Sequence, residues 1–311
     1  MKTITWHKPL LWLAVAMAAL AGAVGIAAIF DHRVVTGVDV WIKPLKFAIS
    51  VGVYSITLSL LIGMLGRWRR IAWVAGTIAT LGLLIEMVII VGVAATGETS
   101  HFNVSTPFHT ALWGTMAFSI VVVWVMTFLV GLAFFRNRFG DAARNLAVRA
   151  GVLVAVVGMG LAFLMTSPTA SQLANFKGIA GAHTVGIADG GPGLPLLGWS
   201  TVVGDLRIPH FVGMHALQVL PLFVLLLEVI GRHWAPLASV RTRVRLVCIA
   251  IATYVATLGV LTWQALSAQS IVHPSGAILL TAVVVTIAAL LAAVIVLAGG
   301  SGSATRRLTT P

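Results

Sequence analysis

Apolar residues run along this chain in stretches of roughly 20 or more, each broken by short polar clusters, with maxima near 9–30, 45–65, 71–95, 108–135, 147–167, 208–231, 245–267 and 277–299. A helix rising about 1.5 Å per residue needs about 20 apolar residues to cross roughly 30 Å of hydrocarbon. Membrane-spanning strands would instead show alternating segments of about ten residues, which the pattern lacks. The periodicity therefore predicts an all-α, polytopic transmembrane helix bundle of about eight spans, forming one membrane domain over 1–311. Pro44, Pro107 and Pro209 fall at predicted helix starts, where a missing N–H is harmless. The first run follows Lys2 and Lys8, as in a secretory signal, but 9–30 exceeds the usual apolar core of such signals and is assigned as the first span.

Composition agrees with the pattern: 59% of the 311 residues are hydrophobic and 9% charged, too few polar groups to coat a soluble globule of this size. The net charge of +12 is distributed in short loop clusters, which suit anionic lipid headgroups rather than nucleic acid. One set of loops carries Lys2, Lys8, Arg67, Arg69, Arg70, Arg136, Arg138, Arg144, Arg149, Arg232, Arg241, Arg243, Arg245, Arg306 and Arg307. The opposite set carries Arg33, Lys43, Lys46, Lys177 and Arg207. This asymmetry predicts cytoplasmic termini, and an even number of spans independently requires both termini on one side. Cys248 has no partner for an intramolecular disulfide and is expected to be a small buried apolar residue.

With that topology His32, His101, His109, His183, His210, His215 and His273 gather at the extracytoplasmic side, together with Asp31, Asp39, Glu98, Asp189 and Asp205. The connection 168–207 is rich in Gly and Pro and too long for a structureless loop, so it is expected to fold as a cap. In the sixth span His210, Met214, Gln218 and His215 fall within about 140° of arc, a polar stripe entering the membrane. His101, Asn103 and His109 lie within ten residues at the start of the fourth span. Glu86 stands alone deep in the third span, where an ionisable side chain marks function by default; His215, Lys46 and Gln264 are its candidate partners. Lys46, Ser50 and Tyr54 share one face of the second span, while Lys43 is placed at the interface.

The segments WIKPLKF, SHFNVSTPFH, HTVGIADGGPGLPLLGWS and GDLRIPHFVGMHALQVLP resemble the motifs of an uncharacterised family of bacterial polytopic membrane proteins, over about residues 31–225. The resemblance implies a multi-pass protein of the bacterial cytoplasmic membrane and carries no activity with it.

Imidazole density at one depth favours a transition metal (copper, iron or zinc) or haem b serving a redox reaction. His101, His109, His210 and His215 are the expected metal ligands, His109, His215 and Gln218 the cofactor contacts, and Glu86 and Lys46 the catalytic groups of a membrane-bound oxidoreductase. A proton-coupled transporter of a small anionic solute, relaying protons through Glu86, His215 and Lys46, is the alternative. A third possibility is an extracytoplasmic sensor or an assembly subunit whose cap docks a membrane partner. The lipid bilayer is the expected partner in every case, joined by a small-molecule substrate in the first two; nucleic acid is not expected.

Overall fold

A computed structural model describes residues 5–307, with side chains described for 5–299. Helix α1 (Lys8–Phe30) runs antiparallel to α2 (Ile42–Gly63), and α3 (Arg69–Thr96) to α4 (Pro107–Phe135). Helix α5 (Ala142–Gly160) tightens into a 3₁₀ turn at Leu161–Met165. The chain continues through the short α6 (Ala170–Ala174), then α7 (Arg207–Met214), α8 (Ala216–Ile230), the short α9 (Ala235–Ala238), α10 (Val240–Leu266) and α11 (Gly276–Arg307). Among the described residues seven helices are long and apolar enough to cross a membrane. The α7–α8 pair, bent by 46° at His215, brings the number to eight if it crosses as one broken span. The chain is thus a multi-pass helical membrane protein.

Local chemistry sets the helix ends. Thr106 caps α4 by accepting from the His109 amide at 3.2 Å, with Pro107 in the first helical position. Asp141 caps α5 through the Arg144 amide at 3.0 Å. Gly97, at φ 78°, ends α3 in the left-handed conformation that only glycine adopts without penalty.

In lipid the apolar effect does not drive helices together, so close packing of small residues must. Helix α3 turns Ala72, Ala75, Gly76, Ala79 and Gly82 inward. A Cβ on Gly82 would lie 2.7 Å from Val123, so glycine there lets α4 approach. Gly158 of α5 likewise abuts the backbone of Gly213 in α7. Large apolar side chains such as Phe118, Leu222, Leu290 and Ile295 point outward, as a lipid-facing surface requires. Cys248 is among the exposed residues, which corrects its expected burial: α10 is apolar on most of its circumference, so its pattern does not show which face turns inward.

Two polar ends bracket the bundle. One joins the 64–68, 136–141 and 231–239 connections: Asn137 Oδ1 accepts from the Gly66 and Arg67 amides, and Arg243 pairs with Asp141 at 2.8 Å. At the other end lie two short antiparallel strand pairs. These are β1 (Val34–Val35) with β2 (Val38–Asp39), and β3 (Thr184–Val185) with β4 (Gly204–Asp205), whose register sets Thr184 opposite Asp205. Residues 166–206 fold over this end. Lys46 Nζ donates to the Leu197 carbonyl at 2.7 Å, and Arg207 Nη2 to the Gly198 carbonyl at 2.6 Å.

Candidate functional site

Glu86 sits ten residues before the end of α3, on its inward face, and is 2% exposed. Beyond Gly97 the chain turns back over the bundle, and Phe102, a non-glycine residue at φ 62°, redirects it again beside His101. His101 is thereby brought down onto Glu86, with Nε2 3.6 Å from Oε1. That distance is too long for a hydrogen bond but short enough for strong electrostatic coupling. Phe47, Phe102 and Trp113 surround the imidazole at centroid distances of 5.5–5.9 Å and exclude water from the pair.

Lys43 completes the group. Its Nζ lies 3.1 Å from His101 Nδ1, and an ammonium can only donate, so the imidazole proton belongs on Nε2, facing Glu86. Glu86 Oε2 is buried without a hydrogen-bond partner, an arrangement that favours a protonated carboxyl or a guest that can donate to it. Burial, reinforced by the charges of Lys43, His183 and His210, holds His101 well below the ordinary imidazole range.

These contacts correct two expectations, the partner of Glu86 and the place of Lys43. The partner of Glu86 is His101, not His215, Lys46 or Gln264; Gln264 instead donates to the Ser270 carbonyl at 2.7 Å. Lys43, assigned to the interface, points into the bundle. Lys46 reaches out to the cap. The two lysines are three residues apart and separated by about 60° around the helix, so apolar periodicity does not choose between them.

A second pair lies above the first. His183 Nδ1 donates to Asp189 Oδ2 at 2.6 Å, and the same carboxylate accepts from the amides of His183 and Thr184 and from the Thr184 hydroxyl. Burial pushes Asp189 up, but these donors outweigh it and hold the carboxyl well below its usual range. Burial also lowers His183, against the opposing pull of Asp189. Phe102 packs on His183 at 5.0 Å, so one aromatic ring separates the two histidines.

The remaining candidates are placed apart. His109 is half-buried away from this group, with Nδ1 2.8 Å from Thr106 Oγ1 and Nε2 paired with Glu98. His210 Nδ1 donates to the Gly158 carbonyl at 2.8 Å, one of the carbonyls left without a partner as α5 ends. His215, at the α7–α8 break, has Nδ1 3.3 Å from Gln218 Oε1, and its buried Nε2 has no partner. Among the described residues no three His, Cys, Asp or Glu side chains are disposed to hold one metal ion, so His101, His109, His210 and His215 are not brought into a common donor set.

Sequence placed His183 and Asp189 on this side but did not reveal their pairing, nor the inward turn of Lys43. Each depends on contacts between the cap or the 97–106 connection and the helix ends, which periodicity does not encode. Comparison with family models, with curated proteins and with solved structures returned no match.

Proposed function

We propose that this protein is a proton-coupled transporter of a small anionic solute, with Glu86, His101 and Lys43 as its proton-exchanging group. The observation that carries the proposal is the buried Lys43–His101–Glu86 series, in which one imidazole faces a cation through one nitrogen and a carboxylate through the other. When the Glu86–His101 gap shortens, the Nε2 proton passes to Glu86 as Nδ1 takes one from the Lys43 ammonium. Charge is then conserved, and one proton has moved from the lysine to the carboxylate. Lys43 and Lys46 bring two ammonium groups beneath the cap, whereas Arg207 is neutralised by Asp205, and the two lysines favour an anion there.

Buried polar groups continue below Glu86 toward the arginine-rich end. Tyr54 bonds Thr127 at 2.6 Å, Ser59 donates to the His7 carbonyl at 2.9 Å, and His7 packs against Gly76. Gly76 is ten residues from Glu86, about 15 Å along α3. Ser55, on the same helix as Ser59, is buried with an unpartnered hydroxyl. The excess of arginines at the far end assigns it to the cytoplasm, with both termini there and the histidine-bearing cap outside, in a bacterial cytoplasmic membrane.

Proteoliposomes loaded with a pH-sensitive dye test this, with inorganic phosphate, acetate and succinate as external probes under an imposed pH gradient. At least one anion is expected to accelerate proton entry, with Glu86→Gln reducing that rate more than about tenfold, the scale of removing a positioned proton carrier. Wild-type vesicles that show no anion-dependent proton movement, or a Glu86→Gln variant as active as wild type, would overturn the proposal.

A second reading, a redox site holding a copper, iron or zinc ion or haem b, is favoured by one observation: His210 and His215 both engage Nδ1 and leave Nε2 over. Histidine ligands are held in this way, with the second nitrogen oriented by a hydrogen bond. The visible spectrum and elemental content of the purified protein test it. A Soret band or a stoichiometric metal supports it, and the lack of both after mild purification removes it.

A further inference from the structure

At the end of the bundle opposite the cap, an open cavity of about 450 Å³ is lined by Asp141, Arg144, Glu228, Arg232 and Arg243, and closed from behind by Gly231 and Ala238. We propose that this cavity binds a phosphate-bearing anion, as a phospholipid headgroup or as free phosphate, through its three guanidiniums. Nothing in the proton site bears on this proposal, which stands on different residues.

The charge balance and the open valences both point to an anion. Three guanidiniums face two carboxylates, which leaves the cavity with a net positive charge. Arg144 is engaged with Glu228 through Nε and Nη2, and no hydrogen bond uses its Nη1. Arg243 spends Nη1 on the Leu237 and Ala238 carbonyls and Nη2 on Asp141, but its Nε is buried with no partner. That N–H is sealed from the cavity, so the donors open to an anion there are Arg144 Nη1 and the Arg232 guanidinium, with Arg243 adding its charge. The side chain of Arg232 is exposed and makes no hydrogen bond or ion pair. Helix α10 begins beside the cavity at Val240, and its N-cap Ser239 makes no side-chain bond, so the positive end of a 27-residue helix adds to the field.

The volume falls in the range of small-ligand pockets, and basic pockets between spanning helices are suited to phosphate headgroups. Arg144 lies in the first turn of α5 and Arg232 just beyond the end of α8, the helix ends where a spanning bundle meets headgroups. The several oxygens of one phosphate can accept from guanidiniums on separate helices at once, and would tie the starts of α5 and α10 to the end of α8.

The full chain in nanodiscs decides the matter, with thermal unfolding midpoints compared in phosphatidylcholine alone, in phosphatidylcholine with phosphatidylglycerol, and in phosphatidylcholine with inorganic phosphate. A higher midpoint in either anionic medium is expected, and which medium acts identifies the source of the phosphate. Arg232→Gln should keep the wild-type midpoint in phosphatidylcholine and need about fivefold more anion for the same rise. Arg232→Lys should recover most of the response. Arg241→Gln, an exposed arginine outside the cavity, should leave it intact. No rise in either medium, an undiminished response in Arg232→Gln, or an equal loss in Arg241→Gln overturns the proposal.

Discussion

The two polar ends of this bundle are built from different chemistry. At the capped end, carboxylates are enclosed: Asp205 is 1% exposed and accepts from the Ser200 amide at 2.8 Å, the Arg207 amide at 3.0 Å and the Arg207 guanidinium. At the arginine-rich end the pairs Arg243–Asp141 and Arg144–Glu228 border an open cavity, and Arg144 is 40% exposed. Histidines crowd the first end, whereas permanently charged guanidiniums dominate the second. One end thus encloses imidazoles whose protonation is tied to folding, while the other is open to water and holds its charge at any physiological pH.

The largest expected difference between the ends is in stability. Asp205→Ala should cost about 3–5 kcal/mol, because it strands the Arg207 guanidinium in a mostly buried position. Asp141→Ala should cost only about 1–2 kcal/mol, from a lost helix cap and a screened ion pair. Denaturant titrations of both variants in one detergent compare them directly, and equal costs would dissolve the contrast.

A smaller effect separates the ends by pH. The folded state holds His101 and His183 below the ordinary value near 6.5, so between that value and their folded values the unfolded chain binds more protons. Stability at the capped end is therefore complete above about pH 6.5 and falls as the solution is acidified. At pH 5.5 His101 alone accounts for up to about 1.4 kcal/mol, one pH unit's worth, and His183 adds in the same direction. Asp189, held low, keeps its charge over this window and contributes no slope. Hydrogen exchange at pH 7.5 and 5.5, corrected for intrinsic rates, should show lost protection in 166–206 and little change at 136–145. Uniform loss at both ends would refute the assignment. The smallest effect is expected at Cys248, where Cys248→Ser on the exposed face of α10 should move stability by less than about 0.5 kcal/mol.

The helical, multi-pass architecture was legible from the chain because the thickness of hydrocarbon imposes a length that few other constraints imitate. The start of α4 was equally plain, since Pro107 marks it and opens the helix in the structure. The partner of Glu86 was not. It depends on Phe102 adopting a positive φ that no local residue preference announces, and on a lysine 58 residues from His101. The face of α10 that carries Cys248 was hidden for another reason: a helix apolar all round has no stripe to reveal its orientation. Histidine bias along the sequence located the polar end but not the pairing within it, because imidazoles on separate connections meet only through the cap.

The break at His215 divides the α7–α8 pair into two arms. The first arm begins at Arg207, which is tied to the cap, and the second ends near Glu228, which is tied to Arg144. Pro221 lacks the N–H that would bond the carbonyl of Leu217, and Tyr254 donates instead to the Val212 carbonyl at 2.5 Å, so the bend is written into the backbone. Geometrically this makes the segment a crank whose elbow lies among packed helices and whose two handles are salt-bridged at opposite surfaces. Any change of angle at the elbow must displace one handle relative to the other, so events at the two faces share a mechanical linkage although no side chain runs between them.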